Sequence, residues 1–131
     1  MKNLLRMFSA LLLTLLAAGC AVENNYLHPE DFADYLRRDG IKVESVRKLP
    51  PDPFRASDAA AIKVAGSEVG VYKYDATARV QRERIKRIAR EKRLYVIGKP
   101  CPVWVHGSFV FLGLERSPLK RKILRTIEKF K

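Results

Sequence analysis

Cys101 and His106 are the one nucleophile–base pair that this chain offers. A thiol becomes reactive when a base or a cation beside it draws off its proton. The two stand five residues apart across a proline-rich turn and a short apolar run, so the spacing does not oblige them to touch, and no Cys-x-x-Cys accompanies them. Asp31 and Asp34 sit at i, i+3 on a helical stretch. Paired carboxylates can share acid–base work in a cleft, but near a helix start they serve the helix dipole instead. His28 and His106, far apart in sequence, are a poor start for zinc. There is no Gly-x-Gly-x-x-Gly, phosphate loop or Gly-x-Ser-x-Gly. The expectation is a protein without catalytic residues, metal or cofactor. The alternative is a thiol-dependent enzyme or redox factor using Cys101 and His106.

The charge is unevenly spread. Residues 20–78 hold 8 Lys+Arg against 10 Asp+Glu, whereas residues 79–131 hold 16 against 4. Such asymmetry points to an anionic partner or an anionic surface. It is concentrated in one helix, expected over Ala76 to Arg93, where Arg79, Arg82, Arg84, Lys86, Arg87 and Arg90 are the candidate anion-binding residues. Its apolar stripe, Ala78, Ile85, Ile88 and Ala89, is narrow, so one edge is buried and a broad cationic face meets water. Nucleic acid fits the charge, but no aromatic stacking platform lies beside it. Extracellular nucleic-acid binding is therefore a second alternative.

Other elements must position these groups. His28-Pro29-Glu30-Asp31 opens a first helix, with Phe32, Tyr35 and Leu36 on its apolar face and Asp39-Gly40 at its end. Ile41 to Leu49 alternates as a half-buried strand and stops at Pro50-Pro51-Asp52-Pro53. Ala61 to Ala65 and Glu68 to Asp75 form a hairpin about Gly66-Ser67, with Val69 and Val71 opposing Tyr72 and Tyr74 across the second strand. Leu94 to Ile97 is a strand interrupted by Gly98-Lys99-Pro100-Cys101-Pro102; Val103 to Val105 and Phe109 to Leu112 then pair about His106-Gly107-Ser108. Ser117-Pro118 caps a last helix that turns Ile123, Leu124, Ile127 and Phe130 inward. The order is α-βββ-α-βββ-α, an α+β class with an antiparallel sheet of five to six strands and two to three helices.

The first residues read differently. Lys2 and Arg6 precede an apolar run, Met7 to Leu16, too short to span a bilayer, and the small residues Ala17, Ala18 and Gly19 lead into Cys20. The stretch Leu16-Ala17-Ala18-Gly19-Cys20 resembles the lipobox of bacterial lipoproteins, although Ala17 stands where that family more often has Leu. The resemblance implies cleavage between Gly19 and Cys20, lipidation of Cys20 and a cell-envelope location. Residues 1–19 are then a signal peptide, 20–27 a lipidated tether and 28–131 a single domain. Ala21, rather than the Asp that retains enteric lipoproteins at the inner membrane, leans toward the outer membrane. Only Cys101 remains as a thiol, which rules out an intramolecular disulfide. The partners nearest to such an anchor are anionic lipid, lipopolysaccharide or cell-wall polymer.

Three stretches of the folded part, Phe32 to Val43, Ile62 to Tyr74 and Gly107 to Leu114, resemble small secreted or lipid-anchored bacterial domains of uncharacterised role. These share a helix ending in Gly, a V-x-G-x-x-V-x-V-Y-x-Y hairpin and a late apolar strand ending in Gly. The resemblance implies an α+β fold and carries no activity. The whole reading is a membrane-anchored, non-catalytic binding or envelope-structural module with a basic face.

Overall fold

The computed structural model describes residues 22–131; the signal segment and Cys20 lie outside the described residues. Its elements are α1 (Asp31–Arg38), β1 (Ser45–Lys48), β2 (Asp58–Val64), β3 (Ser67–Lys73), α2 (Arg79–Glu91), β4 (Arg93–Val96), β5 (Lys99–His106), β6 (Phe109–Leu112) and α3 (Lys120–Lys129). The six strands form one antiparallel sheet in the order β1-β2-β3-β6-β5-β4. The expected α+β class and order are present.

Strand alternation sorts the side chains into two cores. On one face Ile62, Val64, Val69, Val71, Phe109 and Phe111 pack against Phe32 and Leu36 of α1 and Ile123 and Ile127 of α3. On the other, Ala59, Tyr72, Tyr74, Val103 and Val110 pack against Ile85 and Ile88 of α2. Helices therefore lie on both faces. Val69 and Val71 do oppose Tyr72 and Tyr74 as the alternation predicts, and both tyrosines are packing residues. Phe130, just past α3, is the hub of an aromatic cluster, with its ring centroid 4.7 Å from Phe109, 5.2 Å from Phe32 and 5.0 Å from Tyr35.

Several element boundaries differ from expectation, each for a local reason. The β2–β3 turn is Ala65-Gly66, not Gly66-Ser67: both residues have positive φ (49° and 78°), and Ser67 already pairs with Val64. β1 is shorter than Ile41 to Leu49, because the Ile41 N–H donates to Leu36 O and its side chain joins the core beneath α1. α2 begins later than Ala76, since the Asp75 carboxylate accepts the N–H and hydroxyl of Thr77 in a turn ahead of it. It ends at Lys92, which adopts a left-handed conformation. Gly98 to Pro102 is not an interruption. Ile97-Gly98 is the turn, and β5 runs through both prolines. Pro100 and Pro102 lie two apart, so both ring nitrogens point away from β4, beyond the last paired residue of β6, where no ladder hydrogen bond is needed.

The segment expected to be a tether is part of the fold from Asn24 onward. Asn24 is buried, and its Nδ2 donates to His106 O and to Phe130 O, both at 3.0 Å, while its Oδ1 accepts the Ser108 N–H at 2.9 Å. Gly107 (φ +59°) leaves room for this amide; a Cβ there would collide with it. Asn25 Oδ1 accepts the Ala76 N–H and the Ser108 hydroxyl. Leu27 reaches the core.

Asn24→Ala removes three hydrogen bonds and leaves the Phe130 carbonyl and the Ser108 N–H without this partner, and an unpaired buried polar group costs about 1–3 kcal/mol. We expect about 3 kcal/mol less stability in urea unfolding; a loss below about 0.5 kcal/mol, the scale of an ordinary surface change, would show the clasp to be dispensable. A second link joins α1 to α3. Asp39 Oδ2 accepts the Thr126 hydroxyl at 2.6 Å, and Oδ1 accepts from Lys129 Nζ at 3.0 Å. Chiefly through the Thr126 bond and then Lys129, its carboxyl is held below the usual aspartate range. A depressed folded-state pKa contributes stability that is complete above the unfolded value and lost as pH falls through the folded one. Asp39→Asn should therefore destabilise at neutral pH and make stability fall less steeply in acid, as followed by thermal unfolding across pH. An unchanged acid slope would remove Asp39 from the balance.

Candidate anion-binding site

The site is assembled from α2 and a loop that the sequence keeps apart. Pro51 and Pro53 shape a short turn over Asp52–Phe54, and Arg55 follows in a left-handed conformation (φ 53°). Two contacts hold this loop over the sheet. The Tyr74 hydroxyl donates to Phe54 O at 2.7 Å, and the Phe54 ring meets Tyr72 edge-on at 5.0 Å. Burial pushes the Tyr74 phenol up to about 12, so it stays a donor at any ordinary pH. From α2, Gln81 Nε2 and Arg84 Nη1 both donate to Arg55 O, at 2.8 and 3.2 Å. The outcome is an open depression of about 450 Å³ lined by Arg55, Arg79, Val80, Glu83, Arg84 and Arg87.

The expected cluster of six cations is divided by this geometry. Arg79, Arg84 and Arg87 line the depression. Arg82 turns back to donate to Ala76 O at 2.9 Å and fastens the turn before α2. Lys86 lies 3.8 Å from Glu83, and Arg90 lies further along the helix. Arg55 joins the site unforeseen, since no periodicity links a proline-rich loop to a helix 24 residues later. Among the described residues, no carboxylate lies within ion-pair distance of Arg55, Arg79, Arg84 or Arg87. Four arginines line one hollow. Arg55, Arg79 and Arg87 carry planar forks of donors suited to phosphate, sulfate or carboxylate oxygens, and Arg84, with Nη1 on Arg55 O, keeps its other N–H donors.

Cys101 and His106 are not brought together. Both lie on β5, where an odd offset puts them on opposite faces, about 17 Å apart along an extended strand. Cys101 is half-buried opposite Leu94. His106 is half-buried at the far end, and burial, then the Lys131 charge, lowers its imidazole below the ordinary value. Asp31 accepts the His28 backbone N–H at 2.7 Å, and Asp34 pairs with Arg37 at 3.0 Å. The His28 imidazole stands exposed, 4.0 Å from Asp58. Among the described residues, no group of three His, Cys, Asp or Glu side chains gathers as a metal site would.

No family profile, curated protein sequence or solved structure matches this chain.

Proposed function

We propose that this protein is a lipid-anchored, non-catalytic module of the bacterial envelope whose α2–Arg55 face binds a polyanionic partner, with phosphate-bearing envelope polymer or lipopolysaccharide as the fitting chemistry. The observation that carries this reading is the hollow itself, where four arginines from two separate segments converge with one glutamate beside them. Convergent cations in one concave surface concentrate positive potential where a polyanion would sit. The anchor is inferred from the lipobox resemblance at Cys20. The Asn24 clasp supports a close approach to the membrane. Only Ala21, Val22 and Glu23 separate Cys20 from a fixed residue, a reach of about 14 Å when extended.

Two experiments test the two halves of this reading. Wild-type protein should stay in the membrane fraction through a wash at about 0.5 M NaCl, where surface charge is screened, whereas Cys20→Ser should be released. A variant that pellets like wild type would sink the anchor. For the basic face, inorganic tripolyphosphate titrated into the purified full chain should bind in a salt-dependent way. Arg84→Glu with Arg87→Glu should weaken it by about tenfold or more. Reversal of Lys122 and Arg125 on α3 is the control. Equal losses in both variants would mean diffuse charge and no site.

A further inference from the structure

The end of the sheet at β4 and β5 is built unlike the rest. β6 stops at Leu112 opposite Val103, so Lys99 to Pro102 pair with β4 alone. Residues 93–102 thus form a two-stranded arm that runs past the body of the sheet. α1 and α3 cover the middle strands on one face, and that same face of the arm is bare. The register aligns Tyr95 with Pro100 and Arg93 with Pro102 on it, and Trp104 follows two residues on. Tyr95 is 56% exposed and Trp104 40%.

At the tip, Ile97 is 97% exposed. Its φ of 51° belongs to the left-handed region that β-branched residues avoid, in a turn suited to Asn-Gly. A strained, fully exposed isoleucine gains nothing in the isolated domain. The arm itself is cationic: Lys99 stands two residues from Ile97, and Lys92 and Arg93 lie at the arm's base beside Val103 and Pro102. Lys120 Nζ, 5.5 Å over the Trp104 ring, is paired with Glu115. No Asp or Glu occurs from Lys92 through Leu114.

We propose that this bare face, with Ile97 at its tip, is a second, non-covalent contact with an anionic lipid bilayer. An apolar tip, interfacial Tyr and Trp, and a cationic rim are what a headgroup layer accommodates. A second copy of the chain fits less well. It would bring together two arms that each carry Lys92, Arg93 and Lys99 with no carboxylate, and the prolines remove N–H donors from one edge of the arm. The position agrees with the anchor. β5 is about 25 Å long, and its His106 end is where Asn24 holds the segment leading to Cys20. The anchor end and the row Trp104, Tyr95 and Ile97 thus lie along the β5–β4 edge of the sheet, beside α3, and a domain tilted onto that edge brings both to lipid. α2 packs on the opposite face of the sheet, so the arginine-lined hollow then opens away from the lipid. The orientation rests on the anchored reading; the contact itself does not.

Trp104 is the only tryptophan of the chain and reports directly. The full chain, purified from membranes and reconstituted into phosphatidylcholine vesicles with or without phosphatidylglycerol, should show a blue-shifted Trp104 emission, quenched by brominated acyl chains, only when phosphatidylglycerol is present. Ile97→Asp keeps a residue at home in the left-handed turn and should abolish the shift; Arg84→Glu with Arg87→Glu should preserve it. Identical emission in both vesicles, or no response to Ile97→Asp, would overturn the proposal. A shift that grows with protein density in neutral vesicles would overturn it in favour of self-association. Cys20→Ser protein added from outside separates the two ideas. A shift in anionic vesicles supports the arm even if the anchor fails, and its absence there overturns the arm while the anchor stands.

Discussion

The Asn24 side-chain amide is the joint on which the described domain closes. It has two donor hydrogens and one acceptor oxygen, and all three are used on backbone groups from three places: the end of β5, the start of β6 and the residue after α3. These bonds hold the Phe130 backbone at the sheet end, and the Phe130 ring is the one that Phe32, Tyr35 and Phe109 pack around. The first described residues and the last are thus joined at one buried point, and Gly107 is the position that must lack a side chain for this to happen. Buried backbone groups need partners, and here a residue outside every helix and strand supplies them.

The same joint governs how the surface is presented. It brings Asn24 and Asn25 beside the turn leading into α2, through Ala76, and beside the His106 end of β5. The two cationic regions are separated by the sheet. The arginines of α2 lie with Arg55 on one face, and the arm with Trp104 exposes the other. One face offers planar donors around a hollow, the other apolar and aromatic side chains with Arg93 among them. These are different chemistries with a common charge, and the net charge of +12 does not distinguish them.

Much of the fold was legible because alternation and helical periodicity are local. The α1 stop at Asp39-Gly40, the inward residues of α3 and the opposed valines and tyrosines of β3 follow from spacing alone. The misplaced features were those where a distant partner decides. Prolines at 100 and 102 read as a break because a ladder is assumed on both sides, yet β6 ends before reaching them. Asn24 read as tether because a lone polar residue near an end has no periodicity to reveal that it is buried. Ala65 entered a left-handed turn because the pairing of Val64 with Ser67 required it.

The site divides in the same way. The sequence by itself determined that the cations belong to the second half of the chain, that one helix carries a dense row of them, and that two cysteines and two histidines are a thin basis for catalysis. Those are properties of composition and local spacing. Only the tertiary structure decided which arginines act together. Arg82 is spent on the Ala76 carbonyl, whereas Arg55 comes in from a loop held by Tyr74 and Gln81. It also decided that Cys101 and His106 diverge, because five residues in an extended strand is an odd step that reverses the face. Charge is additive along a sequence, but convergence in space depends on what the chain packs against.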